Sequence, residues 1–294
     1  MKQHSMKFWL MALRPKTLTA AVVPVVVGSA VAAVQPEGWH PWISGFALLS
    51  TCFIQIATNF FNDALDFKKG ADTAERLGPT RVTQAGLLTS RQVMWAGGFC
   101  LLLAFIFGVP LVVVGGLPIV VIGLVSLAMT YAYTGGPYPL AYRGLGDLFV
   151  FLFFGLIAVG GMVLLHIGRW PVDAMVAGAQ TGLLGTVLIA INNFRDHQQD
   201  LKVGKWTLAA RFGARFARTE IICLLITAYA LCFWWLWTGR VWAMALPLLS
   251  LPLAFKVARG VLNHEPSPIF NRFLGQAAGT QLVFGTLLAL GLIL

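Results

Sequence analysis

Residues 172–200 read VDAMVAGAQTGLLGTVLIAINNFRDHQQD. After Asp173 the stretch carries no charge until Arg195, and its end holds Asn192, Asp196 and Asp200 at intervals of four. About 20 apolar residues cross a hydrocarbon core, so the span 172–193 predicts a transmembrane helix. If that helix continues, all three oxygen-bearing side chains fall on one stripe. The pattern occurs a second time. An apolar run over 42–62 leads into Asn59, Asn62 or Asp63, and Asp66 on a similar stripe, with Asp72 and Glu75 in the loop beyond.

The remaining sequence agrees with a membrane protein. Of 294 residues, 58% are hydrophobic and 11% charged, with mean hydropathy +0.78. Soluble domains carry roughly 25% charged residues. Nine spans are expected, at 17–35, 42–62, 91–109, 112–133, 147–167, 172–193, 217–238, 241–258 and 273–294. The fold class is therefore all-α: a single transmembrane domain over 1–294, with helices bundled around a central cavity that opens to the cytoplasmic side. Of the 21 Lys and Arg residues, all but Arg169 and Arg240 fall at the N-terminus or in loops on one face. That bias places the N-terminus and the acidic loops in the cytoplasm, and an odd span count places the C-terminus opposite. Ser29–Ala32 looks like a signal-peptide cleavage site, but the many later spans favour a retained first span. The four cysteines form no CxxC pair and lie in apolar stretches, which gives no zinc site or disulfide framework. The basic residues flank spans instead of clustering among exposed aromatics, which argues against nucleic acid as a partner.

Six of the eleven acids sit in the two clusters. Like charges four residues apart repel unless neutralised, and more strongly where the dielectric is low. Magnesium relieves this, because it takes hard oxygen ligands and binds through a few carboxylates plus substrate phosphates. The candidate metal ligands are Asn62, Asp63, Asp66, Asn192, Asp196 and Asp200, with Asp66, Asp196 and Asp200 as the catalytic core. Arg76 and Arg81 follow the first cluster and Lys205 the second. Acids with cations beside them suit a metal bound to an oligophosphate. A transporter would place acids near the bilayer midplane, whereas here they gather at one face.

At Asn62-Asp63-Ala64-Leu65-Asp66 and Asn192-Asn193-Phe194-Arg195-Asp196-His197-Gln198-Gln199-Asp200, the sequence resembles the UbiA superfamily of intramembrane aromatic prenyltransferases. Within it, Leu13-Arg14-Pro15-Lys16-Thr17-Leu18, Arg76-Leu77-Gly78-Pro79, Tyr131-Ala132-Tyr133-Thr134-Gly135-Gly136-Pro137 and Gly144-Leu145-Gly146-Asp147 are most similar to the branch that prenylates 1,4-dihydroxy-2-naphthoate. The resemblance implies transfer of a polyprenyl group from polyprenyl diphosphate to that acceptor, with loss of CO2, to give demethylmenaquinone in the plasma (inner) membrane. Other branches use 4-hydroxybenzoate or homogentisate. It implies Mg2+ as cofactor, lipid as surroundings and no obligate protein partner. The superfamily pattern has a third acid where this chain has Gly70, and Asp72 lies two residues on.

On this reading, Arg76, Arg81 and Lys205 bind the diphosphate, while Asn59, Lys16, Tyr131, Tyr133 and Tyr142 contact substrate. Phe60 and Phe61 border the site, Asp147 either holds the acceptor or caps a helix, and His197 is a solvated loop residue.

Overall fold

The computed structural model describes residues 2–73 and 76–294, so Glu75 of the first acidic cluster lies outside the described residues. Every regular element among them is helical. In chain order these are α1 (Lys2–Leu13), α2 (Thr19–Ala33), α3 (Pro41–Lys68), α4 (Ser90–Ala132), α5 (Gly146–Phe151), α6 (Ala158–Ile167), α7 (Val172–Lys202), α8 (Leu208–Ala230), α9 (Cys232–Trp237), α10 (Val241–Leu248), α11 (Leu251–Asn263) and α12 (Phe270–Ile293). A π-helical turn, Leu152–Ile157, joins α5 to α6.

Six helical stretches are long and apolar enough to cross a membrane, and two bent pairs raise the number to eight. The expected count of nine is reached only if α4 is counted as two spans. The spans read as 91–109 and 112–133 form one run, Ser90–Ala132, of 43 residues. A straight helix of that length would measure about 65 Å, twice the roughly 30 Å hydrocarbon core. The break falls at Gly116 (φ 60°, ψ −151°), where only glycine is unstrained, and Pro110 is absorbed within the helix. The start of α4 is fixed by a capping box. Gln92 N–H donates to the Thr89 hydroxyl at 3.2 Å, and Thr89 N–H donates to Gln92 Oε1 at 2.9 Å.

α3 and α7 both outrun their apolar spans. At 28 and 31 residues they are about 42 and 46 Å long, so their last turns carry Asn62–Lys68 and Asn192–Lys202 beyond the lipid-matched length. The continued helix expected from the spacing of four is therefore present in both. Each ends on a left-handed glycine, Gly70 (φ 71°) and Gly204 (φ 70°). Gly70 explains the missing third acid: the helix has stopped there, and the chain turns so that Ala71 N–H donates to Asp66 O at 2.9 Å. Asp72 is buried directly after that turn.

The main core packs α2, α6, α7, α8 and α12 through Val27, Val31, Ile191, Ile221, Phe284 and Leu288. The α7 backbone comes close to the π-helical turn. A Cβ at Gly182 would lie 2.7 Å from Phe151 O and 2.9 Å from Gly155 Cα. Those are backbone atoms and cannot swing aside, which is the small-residue logic of helix packing in lipid. Gly182→Val is expected to cost about 1–3 kcal/mol by overpacking, read as a lower Tm of purified protein in detergent. An unchanged Tm would refute the close approach.

Candidate active site

The C-terminal turns of α3 and α7 converge with the loop 69–89 and the short connection 203–207. Asp66, Asp72, Asp196 and Asp200 are all buried there, together with Arg81 and Arg195. Arg195 is the hub. Its side chain, 1% exposed, donates to both oxygens of Asp196 at 2.8 and 2.6 Å, to Asn192 Oδ1 at 2.8 Å and to Asn271 Oδ1 at 2.6 Å. Asn271, at the start of α12, donates to Leu77 O at 2.9 Å and so ties the 69–89 loop to the bundle.

The other pairs are looser. Arg81 NH2 lies 3.8 Å from Asp66 Oδ2, and its Nε lies 3.5 Å from Asp72 Oδ2. Arg76 bonds to Asp72 and reaches to 3.7 Å from Asp196. Lys205 lies 3.4 Å from Asp200, held back toward it because Lys205 N–H donates to Asp200 O at 2.8 Å. Arg81 Nε and NH1 are buried without a hydrogen-bond partner, as are Asp72 Oδ2 and Asp200 Oδ2. Burial pushes the Asp72 carboxyl up, although Arg81 and Arg76 oppose this. Burial would lower the Lys205 ammonium, but Asp200, Asp66 and Asp196 more than offset it and hold it above its ordinary value.

These groups suit a hard divalent cation. All the anionic donors are carboxylate oxygens, two of them buried and unbonded. Among the described residues no three acid, His or Cys side chains stand close enough to share one ion. Such an arrangement fits magnesium held by one or two carboxylates with the balance supplied by substrate phosphates.

A cavity of about 510 Å³ runs from this cluster between α2, α3, α4, the α5–α6 segment and α7. Its polar mouth holds Arg14, Asn62, Asp66, Arg81, Asn192 and Lys205, and its far end is apolar, with Val25, Val112, Met162 and Leu165. Cavity-lining Val109, Val113 and Leu124 of α4 are also exposed, so the apolar end opens toward lipid. Its aromatic wall includes Tyr133, Phe149 and Phe153, the latter two stacked at 4.3 Å.

Several expected site residues have other surroundings. Asp63 lies off the cavity. Its carboxylate accepts from the N–H groups of Val82 (3.3 Å) and Thr83 (3.1 Å) and from the Thr83 hydroxyl, so it clamps the loop that carries Arg81. Both of its oxygens are thereby engaged by the loop. Tyr131 is 41% exposed and packs edge-on against Phe61 at 5.8 Å, outside the cavity, whereas Tyr133 lines it. Phe60 and Phe61 belong to a separate apolar cluster beside α1.

Lys16 is exposed, and Arg14 faces the cavity in its place. Arg14 is the one non-glycine residue of positive φ (56°) among those described, and no hydrogen-bond or ion-pair partner for its side chain occurs among them. Asn59 donates to Leu13 O (2.9 Å) and to the Thr17 hydroxyl (2.8 Å), fixing the bend that presents Arg14. Asn62 accepts from the Thr134 hydroxyl. Tyr142 donates to Asp66 Oδ1 at 2.9 Å, with Lys69 Nζ 4.2 Å above its ring. His197 is buried in α7 at 2.7 Å from Phe194 O, not solvated in a loop.

Removing Asp63 leaves buried backbone N–H groups unpaired, a cost of about 1–3 kcal/mol. Asp63→Ala is expected to make the 69–89 loop trypsin-sensitive at Arg76 and Arg81 under conditions where the wild type resists. Equal resistance in both proteins would remove the anchor role.

Comparison with known proteins places this geometry. Residues 21–278 match the UbiA prenyltransferase family. The chain is 32% identical to the 1,4-dihydroxy-2-naphthoate octaprenyltransferase of Haemophilus influenzae, covering 100% of this chain and 98% of that one. It is also 32% identical to the protein of the same name from Escherichia coli, over 94% and 93% of the two chains. The fold matches the apo structure of a UbiA homolog from Aeropyrum pernix K1 with a TM-score of 0.69 at 15% identity, covering 94% of this chain and 96% of that one. It matches a UbiA homolog from Archaeoglobus fulgidus bound to DMAPP and Mg2+ with a TM-score of 0.60 at 15% identity, over 97% and 98%. A buried carboxylate–guanidinium cluster at the mouth of a lipid-facing cavity, in a chain related over its full length to these enzymes, identifies it as a multi-pass membrane protein of the UbiA prenyltransferase family.

Proposed function

We propose that this protein transfers a polyprenyl group from polyprenyl diphosphate to 1,4-dihydroxy-2-naphthoate, with loss of CO2, to give demethylmenaquinone. The observation that carries the reading is the polarity of this cavity, with paired acids and cations at one end and apolar side chains open to lipid at the other. The names of the full-length relatives support the choice of acceptor. The prenyl chain occupies the apolar end, and length beyond the cavity continues into lipid past Val109 and Val113. The diphosphate sits at the mouth, where Arg76, Arg81 and Lys205 bind its oxygens.

Magnesium would be held by one or two of the carboxylates Asp66, Asp196 and Asp200, with Asn62 and Asn192 nearby, and would supply positive charge against the leaving diphosphate. Tyr142 orients Asp66. Arg195 orients Asp196 and Asn192. The aromatic faces of Tyr133, Phe149 and Phe153 suit the allylic cation character that develops as the carbon–oxygen bond breaks, and the dry wall keeps water from quenching it. Arg14, lacking an acid partner, suits the acceptor's carboxylate.

The protein works in the plasma (inner) membrane, with the site on the cytoplasmic face and no obligate protein partner. The basic loops support that side. α12 supports a C-terminus on the opposite face, since its first turn carries Asn271 beside Arg195 and the helix runs 24 residues from Phe270.

Purified protein in detergent, given the naphthoate, a polyprenyl diphosphate and magnesium, is expected to release diphosphate and form a prenylated, decarboxylated naphthoquinol, and EDTA should stop it. Asp66→Ala and Asp196→Ala are each expected to lower kcat by at least about 10²-fold with membrane insertion unchanged. Retained turnover in both variants would refute the metal-site assignment. Turnover with another aromatic acceptor alone would move the protein to a different branch.

A further inference from the structure

One acid of the cavity has no cation. Asp66 pairs with Arg81, Asp72 with Arg76 and Arg81, Asp196 with Arg195, and Asp200 with Lys205. Asp147, in the first turn of α5, lines the cavity and is buried, yet no cation of the described residues lies within ion-pair distance of it. Its Oδ2 accepts one long bond from Asn193 Nδ2 at 3.4 Å, and its Oδ1 has no partner. A buried carboxylate oxygen that nothing donates to is costly to keep.

The surroundings narrow what it serves. Tyr133 stands beside it, so close that a Cβ at Gly146 would lie 2.9 Å from the Tyr133 hydroxyl oxygen. Phe149 of the same helix turns its ring into the cavity. The charged groups near Asp147 are Lys205 from the α7–α8 connection and Glu220 from α8, and Lys205 Nζ lies 3.4 Å from Asp200. The site therefore offers an aromatic-walled space and a proton acceptor that forms no ion pair among the described residues. A flat ring bearing a hydroxyl group meets that description.

Resting on the reading of the reaction given above, we propose that Asp147 is the base that takes the ring-hydroxyl proton of the aromatic acceptor. The O–H bond breaks toward Asp147, and the oxygen lone pair moves into the ring as a new C=O. The adjacent ring carbon, which bears the carboxylate, forms the bond to the prenyl carbon, and the prenyl–oxygen bond breaks with its electrons on diphosphate. The carboxylate now sits beside a carbonyl. Its loss as CO2 returns an electron pair to that oxygen, which takes the proton back from Asp147. Asp147 ends as it began, and acceptor plus prenyl diphosphate become prenylated hydroquinone, CO2 and diphosphate. General-base assistance of this kind contributes about 10²–10⁴-fold.

The test uses the full-length protein in detergent with naphthoate, polyprenyl diphosphate and magnesium. Asp147→Asn is expected to lower kcat by about 10²–10⁴-fold, to leave KM for the prenyl diphosphate unchanged, and to lose the acidic limb of the kcat/KM pH profile. Ring-fluorinated acceptors, whose hydroxyl ionises more readily, should recover rate in Asp147→Asn more than in the wild type, and Asp147→Glu should restore part of kcat together with the pH limb. An Asp147→Asn protein with wild-type kcat and pH profile overturns the assignment. So does a rate loss that tracks a lowered Tm and is insensitive to acceptor acidity, which marks a structural role only. A folded wild type that does not prenylate the naphthoate overturns the functional reading and this step with it, whereas a working wild type beside an unaffected Asp147→Asn overturns the base alone.

Discussion

A charge moved out of water into a helix bundle must find an opposite charge or a set of donors, because the desolvation penalty is several kcal/mol per ion. The polar end of this protein is arranged around that requirement. Four acids from two helices and one loop are buried together, and each has a cation within ion-pair distance: Arg81 for Asp66, Arg76 and Arg81 for Asp72, Arg195 for Asp196 and Lys205 for Asp200. These pairs differ in strength. Arg195 grips Asp196 and Asn192 at 2.6–2.8 Å, with every nitrogen of its fork engaged. Arg81 stands 3.5 and 3.8 Å from its acids, and two of its nitrogens have no hydrogen-bond partner. The first arrangement is scaffold. In the second, the guanidinium is held near its acids by charge alone and is free to turn toward phosphate oxygens when a divalent cation competes for the carboxylates.

The constraint also explains the loop. A segment carrying Arg76 and Arg81 has to fold back over the helix ends, or the acids would remain unpaired. It is pinned at three places: by Asp63 at Val82 and Thr83, by Asn271 at Leu77, and by the glycine that ends α3 at position 70. Asp72 then enters the cluster from the loop, after the turn has reversed the chain. The acid absent at Gly70 is thereby supplied by a residue off the helical stripe.

Spacing carried much of this in the sequence. Intervals of four at the ends of two apolar runs put oxygen-bearing side chains on helical stripes, and α3 and α7 are continuous through them. What spacing cannot show is which partner each side chain meets. Asp63 and Asp66 look alike as neighbours on one stripe, but a turn of three residues points one at the loop and the other at the cavity. Tyr131 and Tyr133 are separated in the same way, since two helical residues differ by about 200° in direction. Arg14 and Lys16 are told apart only by a left-handed backbone at Arg14, which no pattern of side chains reveals. Pro110 suggests a span boundary because proline removes a hydrogen bond. Lipid-embedded helices tolerate that, and the chain turns where Gly116 permits a positive φ.

The same economy of charge sets the chemistry. Ionising an allylic diphosphate creates a strong anion and a reactive cation within one bond length. No single environment favours both: water would stabilise the anion but consume the cation, and lipid would protect the cation but leave the anion bare. The cavity resolves this along its own axis. Arg81 and Lys205 line the mouth, and the wall beyond includes Tyr133, Phe149 and Phe153, whose ring faces attract positive charge. An acceptor lying between the two zones meets the cation from the dry side. Asp147 lies on that boundary with no ion pair among the described residues, and the acceptor's hydroxyl proton is the partner assigned to it.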